Sequence, residues 1–270
     1  MAGSLAILQG RYPDLFDLVS DYVRRIAGLP EDERRKFWLC RAAAGLADRP
    51  EHFIGKMLSK LNDVVVEVRH HPGNTIVLKA KLSRCLPARP TVHRESYDSQ
   101  LRDTFAEMLG YAYLCDKGCA APRFIPEGEE PRPDLEAPGP PGRKPVVMEC
   151  KNLHESDEQK DYFAYHQGEA RTVDYRLVSE DADENPLLRK LLDMAKRAVK
   201  QLAAYDPSQY GRIFFLNYSL DIGAGLIGDE FPKAVGGVFR QVASQLDRQG
   251  VELVLMDRYG LGELIEVCPQ

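Results

Sequence analysis

The segment Pro138-Gly139-Pro140-Pro141-Gly142 constrains the fold more than any other part of the sequence. Its three prolines and two glycines fit neither a helix nor a sheet, so the chain has to turn at this point. The segments on either side, 132–137 and 146–151, are short and favour β-structure, the second strongly. We therefore expect the loop to join two antiparallel strands.

The elements around this loop alternate between helical and extended patterns. A helix is predicted over 94–117, because apolar side chains recur on one face: Leu101, Phe105, Met108, Leu109 and Ala112. Other elements follow the same reasoning, with helices over 187–205 and near 233–248, and strands over 122–125, 213–216, 251–256 and 263–267. This order predicts an α/β fold.

We interpret residues 1–90 as an accessory region that precedes a second domain over 91–270. Apolar side chains at three- and four-residue spacing predict helices within 13–60. Two β-rich runs follow at 64–68 and 76–80, and His71-Pro72-Gly73-Asn74 between them has the composition of a turn. These runs predict a β-hairpin within 63–82.

Composition limits the class of protein. Of the 270 residues, 44% are hydrophobic, which is enough to bury a sizeable core. No stretch approaches the ~18 consecutive apolar residues of a transmembrane helix, and the first residues lack the pattern of a secretory signal. The six cysteines are scattered without the close pairs that a zinc site needs. We therefore expect reduced thiols and a cytoplasmic location.

Charge is unevenly distributed along the chain. The net charge of −5 argues against a protein that coats itself with nucleic acid. Residues 124–185 carry 7 basic and 16 acidic side chains, so most of the excess acid lies in the middle of the sequence. Carboxylates concentrated in this way form either a solvated acidic loop or a cation site, and we expect both here.

Charged residues end the predicted strand 146–151. Side chains alternate along a strand, so Val147, Glu149 and Lys151 share one face. An antiparallel partner would bring Asp134 opposite Glu149, and two facing carboxylates repel unless a cation lies between them. Mg²⁺ binds few protein carboxylates and leaves positions for substrate oxygens, which suits phosphodiester hydrolysis. The same residues also fit a strand that emerges into water with a Glu–Lys pair.

Pro133-Asp134, followed after a hairpin-length gap by Glu149-Cys150-Lys151, resembles the PD-(D/E)XK nuclease superfamily. The helix, three strands, helix and strand predicted from residue 94 to 216 are in the order of that family's core. The resemblance implies a restriction-endonuclease-like core, a central mixed sheet flanked by helices, behind an N-terminal helical and hairpin region. It also implies a nuclease that uses Mg²⁺ or Mn²⁺, with DNA as the favoured substrate.

Roles for individual residues follow from the resemblance. Asp134, Glu149 and the Cys150 backbone carbonyl would hold the metal, while Lys151 would position the attacking water. Glu107, on the helix before the strands, matches an additional metal-associated glutamate. Gln201 and Tyr205, on the 187–205 helix, form a QxxxY pattern similar to that of the RecB-like branch. There Gln201 would steady Lys151 or a phosphate, with Tyr205 beneath it.

Substrate and partners are less constrained by the sequence. Lys196 and Lys200, on the helix that would border the site, are candidates for binding the phosphate backbone, and Tyr205 on the same helix is a further candidate for substrate binding. The alternative functions are a catalytically silent nuclease-fold module that binds nucleic acid or protein, and an interaction protein in which the ExK pattern is coincidence. RNA as substrate, a homodimer, a protein partner of the N-terminal region and the role of the acidic insertion 153–186 all stay open.

Overall fold

The computed structural model describes residues 2–34, 37–48, 53–85, 99–153, 186–205, 210–217, 230–256 and 265–266. Helices dominate the first part of the chain: α1 Ala2–Arg11, α2 Pro13–Leu18, α3 Ser20–Ala27, α4 Glu31–Arg34, α5 Trp38–Asp48, α6 Phe53–Arg69, α7 Pro72–Arg84 and α8 Ser99–Asp116. Two further helices alternate with strands in the second part, α9 Pro186–Tyr205 and α10 Glu230–Asp247. The predicted helices over 94–117, 187–205 and 233–248 are confirmed within a few residues.

A mixed sheet lies at the centre of the fold. Its strands are β1 Arg123–Phe124, β2 Leu135–Ala137, β3 Val146–Asn152, β4 Gly211–Asn217, β5 Val251–Leu255 and β6 Ile265–Glu266. They lie side by side in chain order, with β3, β4 and β5 parallel and the other neighbours antiparallel. The α/β prediction is confirmed at this level, as a mixed sheet with flanking helices.

The two faces of the sheet pack against different helices. Met148 and Cys150 of β3 lie in a core shared with helices α1–α3 and α5–α8, which we call the α8-side core. Val147, one residue out of phase, lies in the α9-side core with helices α9 and α10. Both faces of β3 are therefore covered, and a charged side chain in the middle of this strand, such as Glu149, has little water around it.

The loop between β2 and β3 follows the composition of its sequence. A Cβ atom on Gly139 would lie 2.0 Å from the carbonyl oxygen of Lys144, so no larger residue fits this close approach. The Arg143 backbone N–H donates to the Pro140 carbonyl at 2.9 Å, which closes the turn. The predicted antiparallel pairing of the two flanking segments is confirmed.

The predicted hairpin within 63–82 is wrong, because both of its runs are helical. Val64, Val65 and Val68 are buried on α6, where packing against the core outweighs the preference of β-branched residues for strands. His71 is the extended residue before α7, and Pro72 occupies the first turn of that helix. Proline is favoured there because its missing N–H has no helical partner to lose.

Residues of the predicted 1–90 region share their core with the sheet. Leu58 and Leu61 of α6 and Leu78 of α7 belong to the α8-side core, together with Met148 of β3. Asn74 of α7 also links the region to β1, because its side chain donates to the Pro122 carbonyl at 2.8 Å and accepts from the Phe124 N–H at 3.0 Å. Of the helices that the structure describes, none has the length and apolar character to cross a membrane.

Candidate functional site

The register of β2 and β3 brings Asp134 opposite Glu149. Leu135 pairs with Met148, so Asp134, the residue just before β2, lies next to the Met148–Cys150 part of β3 that carries Glu149. Beyond the strand, Asp134 keeps the pairing going: its N–H donates to the Met148 carbonyl at 3.0 Å, and its Oδ2 accepts from the Cys150 N–H at 2.9 Å. The predicted juxtaposition is therefore present in the backbone itself.

Glu149 is buried with an incomplete set of partners. Its side chain is 0% exposed, and Oε1 contacts the Lys151 ammonium. Among the described residues, Oε2 of Glu149 has no hydrogen-bond partner. Burial, reinforced by the charge of Asp134, raises the pKa of Glu149 to about 8, although Lys151 opposes the shift. A buried carboxylate oxygen without a donor is costly unless another positive group reaches it.

Lys151 follows Glu149 on the same strand face and lies nearer the surface. Its side chain is 34% exposed. Burial alone would lower the pKa of Lys151, but the charges of Asp134 and Glu149 outweigh it and raise the pKa. The ammonium is therefore charged at neutral pH and stays accessible at the edge of the carboxylate pair.

Glu107 approaches the same carboxylates from α8 and is held by a lysine that the sequence analysis did not single out. Lys81, from α7, has its Nζ 2.6 Å from Glu107 Oε2 and 3.5 Å from Asp134 Oδ1. Burial first, and then the charge of Asp134, raise the pKa of Glu107 well above its usual range. The charges of Glu107 and Asp134 overcome the effect of burial on Lys81 and raise its pKa.

Close packing of α8 on the sheet sets the position of Glu107. Gly110 lies one turn further along this helix, and a Cβ atom there would be 2.6 Å from Cys150 Sγ and 3.0 Å from Met148 Sδ. A larger residue at position 110 would force the buried Cys150 and Met148 side chains to move. Glu107 consequently reaches the end of β2 although it stands on a different layer of the fold.

Gln201 and Tyr205 contact the segment that carries Asp134, on both sides of it. The Gln201 amide donates to the Arg132 carbonyl at 3.3 Å, two residues before Asp134. The Tyr205 hydroxyl donates to Glu136 Oε2 at 2.8 Å, two residues after it. Gln201 therefore contacts the backbone just before β2, and Tyr205 contacts the Glu136 side chain. No contact between Gln201 and Lys151 is found among the described residues.

The Cys150 thiol lies in the core, as predicted, while the backbone of Cys150 faces Asp134. Its thiol is buried in the α8-side core, where burial raises the pKa well above the usual range. Its N–H points to Asp134. The carbonyl of a strand residue leaves the same edge as its N–H, so the predicted carbonyl ligand points toward the segment that precedes β2.

Lys196 and Lys200 occupy exposed positions on α9. Lys196 Nζ lies 3.8 Å from Asp193 Oδ1, one turn earlier on the same exposed surface. Buried positions of α9, such as Ala198 and Leu202, face the α9-side core. The two lysines are thus free to meet a large ligand, and their role as phosphate contacts stays a prediction. Most of the acidic insertion, 154–185, lies outside the described residues.

The carboxylates of Glu107, Asp134 and Glu149 are oxygen ligands of the kind that magnesium requires, but each of them contacts a lysine. Within the described part of the chain, no three Asp, Glu, His or Cys side chains surround a common point as metal ligands. Glu107 and Asp134 contact Lys81, and Glu149 contacts Lys151. The orphan Oε2 of Glu149 is the group that a small divalent cation would satisfy.

Lys81 is the residue of this cluster that sequence reasoning missed. Its signal was present, because Asn74, Leu78, Lys81 and Leu82 form the buried stripe of a helix at three- and four-residue spacing. A lysine inside such a stripe needs a buried acidic partner.

In comparisons with known proteins, no family model matches the chain, and neither a curated protein nor a solved structure matches it significantly.

Proposed function

We propose that this protein is a divalent-metal-dependent nuclease with a restriction-endonuclease-like core. The observation that carries the proposal is the buried Glu149 beside the partly buried Asp134, where β2 begins next to β3, with Lys151 close by and Oε2 of Glu149 without a donor among the described residues. A buried ion pair offsets its desolvation cost only when its geometry is good and further hydrogen bonds satisfy the remaining lone pairs. Among the described residues, Oε2 of Glu149 has no such hydrogen bond, which supports a role for this carboxylate in binding a cation.

Mg²⁺ or Mn²⁺ fits the residues at this position. Asp134 and Glu149 would hold the ion with the Cys150 carbonyl, all hard oxygen ligands on two adjacent strands. The bound ion would supply Lewis-acid stabilisation of the phosphate charge. Hydrogen bonds from the Cys150 N–H and to the Met148 carbonyl already fix Asp134, so little reorganisation is needed.

Lys151 supplies the other catalytic element. Its ammonium is charged, partly exposed and attached to the strand that carries Glu149. From there it can orient a water for attack on phosphorus and offset negative charge on the phosphate in the transition state. Gln201 and Tyr205 act on the same site indirectly, by holding the chain on both sides of Asp134.

DNA is the proposed substrate. Lys196 and Lys200 are exposed on α9 and offer positive charge on a protein that is acidic overall. A phosphate backbone binds such positively charged side chains. Cleavage of both strands of a duplex needs two sites, so a homodimer is part of the proposal. The alternative, a module that binds nucleic acid without cutting it, would retain binding in the absence of metal-dependent activity.

Cleavage assays on the purified full chain test the proposal. Supercoiled plasmid, linear duplex, single-stranded DNA and RNA would be incubated with Mg²⁺, Mn²⁺ or EDTA. We expect metal-dependent cutting that Lys151→Met abolishes while its circular dichroism stays unchanged. Lys144→Met is the matched control, because Lys144 is exposed in the loop just before the same strand. Cutting that survives Lys151→Met would contradict the assigned role of Lys151.

A further inference from the structure

Lys81 places a positive charge inside the carboxylate cluster. Its Nζ lies 2.6 Å from Glu107 Oε2 and 3.5 Å from Asp134 Oδ1, and the residue is 8% exposed. It comes from α7, a helix outside the part of the sequence that resembles nucleases. The ammonium stands on the Glu107 side of Asp134, whereas Lys151 stands on the Glu149 side. The two lysines therefore divide the cluster into two cation positions.

The backbone that carries Lys81 is held firmly. Leu78 and Leu82 on the same face of α7 are buried in the α8-side core. Asn74 joins the helix to the β1 segment through hydrogen bonds of 2.8 and 3.0 Å. Withdrawal of Lys81 from the site would require these contacts to break or a buried lysine stem to find a new path. The packing of α7 therefore fixes the position of the Lys81 ammonium, as the strands and α8 fix the positions of the carboxylates.

Charge balance limits how many metal ions this cluster can hold. Glu107, Asp134 and Glu149 with Lys81 and Lys151 carry a net charge of −1 when all are ionised. One divalent cation together with one phosphodiester brings the site to zero. A second divalent cation would leave +2 in a largely buried volume, and its position beside Glu107 and Asp134 coincides with that of the Lys81 ammonium.

We propose that Lys81 is a permanent cation in the place of a second metal ion between Glu107 and Asp134, so that the site binds a single divalent cation at Asp134 and Glu149. The proposal rests on the proposed nuclease function and specifies its metal requirement. Lys81 is then a positioning residue, which holds Asp134 Oδ1 while Oδ2 accepts from the Cys150 N–H. Glu107 acts as its buried counter-ion rather than as a direct metal ligand.

Counting bound Mn²⁺ on the full chain tests this proposal without reference to activity. Electron paramagnetic resonance of free Mn²⁺ gives the stoichiometry during a titration. We expect one ion per chain for the wild type, two for Lys81→Met, and one again when Glu107→Gln is added to that variant. Lys79→Met is the matched control and should bind one ion, because Lys79 is exposed on the opposite side of α7. Lys81→Arg, which keeps the charge, should also bind one.

The outcomes separate this inference from the function on which it rests. Two ions on the wild type, or a single ion on a folded Lys81→Met variant, would overturn the role of Lys81 and leave the nuclease proposal standing. Failure of the wild type to bind any Mn²⁺ would contradict the proposed function itself. Circular dichroism monitors folding, and Lys81→Gln, which retains a donor for Glu107, replaces the Met variant if that variant does not fold.

Discussion

Replacing Glu149 with glutamine should change how the stability of the metal-free protein depends on pH. Glu149 is 0% exposed, and its pKa is raised from the ordinary value of 4.5 to about 8 by burial and by the charge of Asp134. Between these two pH values the unfolded chain loses a proton that the folded chain keeps. The unfolded state therefore binds fewer protons, and the free energy of unfolding falls as the pH rises.

The size of the effect follows from the shift. A carboxyl group that stays protonated in the fold over about three pH units costs roughly 3–5 kcal/mol of stability by pH 8, relative to its contribution at pH 4 to 5. Glu149→Gln removes this dependence and keeps the shape of the side chain. We expect the variant to gain on the wild type steadily from pH 5 to pH 8, whatever the offset between the two at pH 5.

Urea unfolding in EDTA at pH 5, 6, 7 and 8 measures the difference. The single tryptophan, Trp38, is buried against Phe105 and reports loss of the α8-side core. Glu136→Gln is the matched control, because Glu136 lies on the same face but already bonds Tyr205 and Arg123. A constant difference between Glu149→Gln and wild type across this pH range would refute the reasoning. Addition of Mg²⁺ at pH 8 should stabilise the wild type and not Glu149→Gln, because only an ionised carboxylate binds the ion.

Three further substitutions test the supports of the site. Gly110→Ala should lower the free energy of unfolding by about 1–3 kcal/mol through overpacking against β3. The control Gly45→Ala, in open space on α5, should raise it by up to about 1 kcal/mol. Equal shifts in the urea midpoint of the two variants would contradict the close approach of α8. Tyr205→Phe should cost about 1 kcal/mol by removing its hydrogen bond to the β2 carboxylate, and an unchanged midpoint would count against that bond. Asn74→Ala should cost roughly 2–4 kcal/mol, because two buried backbone groups next to β1 lose their partner; hydrogen exchange should locate the loosening at β1, and protection there equal to wild type would argue otherwise.

The central part of the fold could be predicted because its signals are local. The Pro-Gly loop forces a turn, and the alternation of apolar residues on either side favours a pairing that buries Leu135 and Met148 on the same face. That pairing places Asp134 opposite Glu149 with no further information. The relative position of Asp134 and Glu149 therefore follows from a segment of fewer than twenty residues.

The N-terminal region could not be predicted as well, because its residues are ambiguous at short range. Val64, Val65 and Val66 favour a strand by themselves, and only their place on α6 against the rest of the core makes a helix the better solution. Reading 76–80 as a strand also hid the buried stripe to which Lys81 belongs. Because the segment was predicted as a strand, Lys81 was not recognised as a buried residue. Its partner, Glu107, lies 26 positions away on α8 and gave no local signal.

Two glutamates on one face of the sheet differ in how fully their carboxylate oxygens are satisfied. Glu136 has a hydrogen bond to Oε2 from Tyr205 and an ion pair to Oε1 from Arg123, so both of its oxygens are satisfied. Glu149 is more deeply buried, yet Oε2 has no donor among the described residues, and its raised pKa records the cost. A sequence selected for stability alone could place an apolar residue at position 149, as it does at position 147. A buried carboxylate close to Asp134 and next to Lys151 is what the proposed cation site would require, at the cost that its raised pKa reflects.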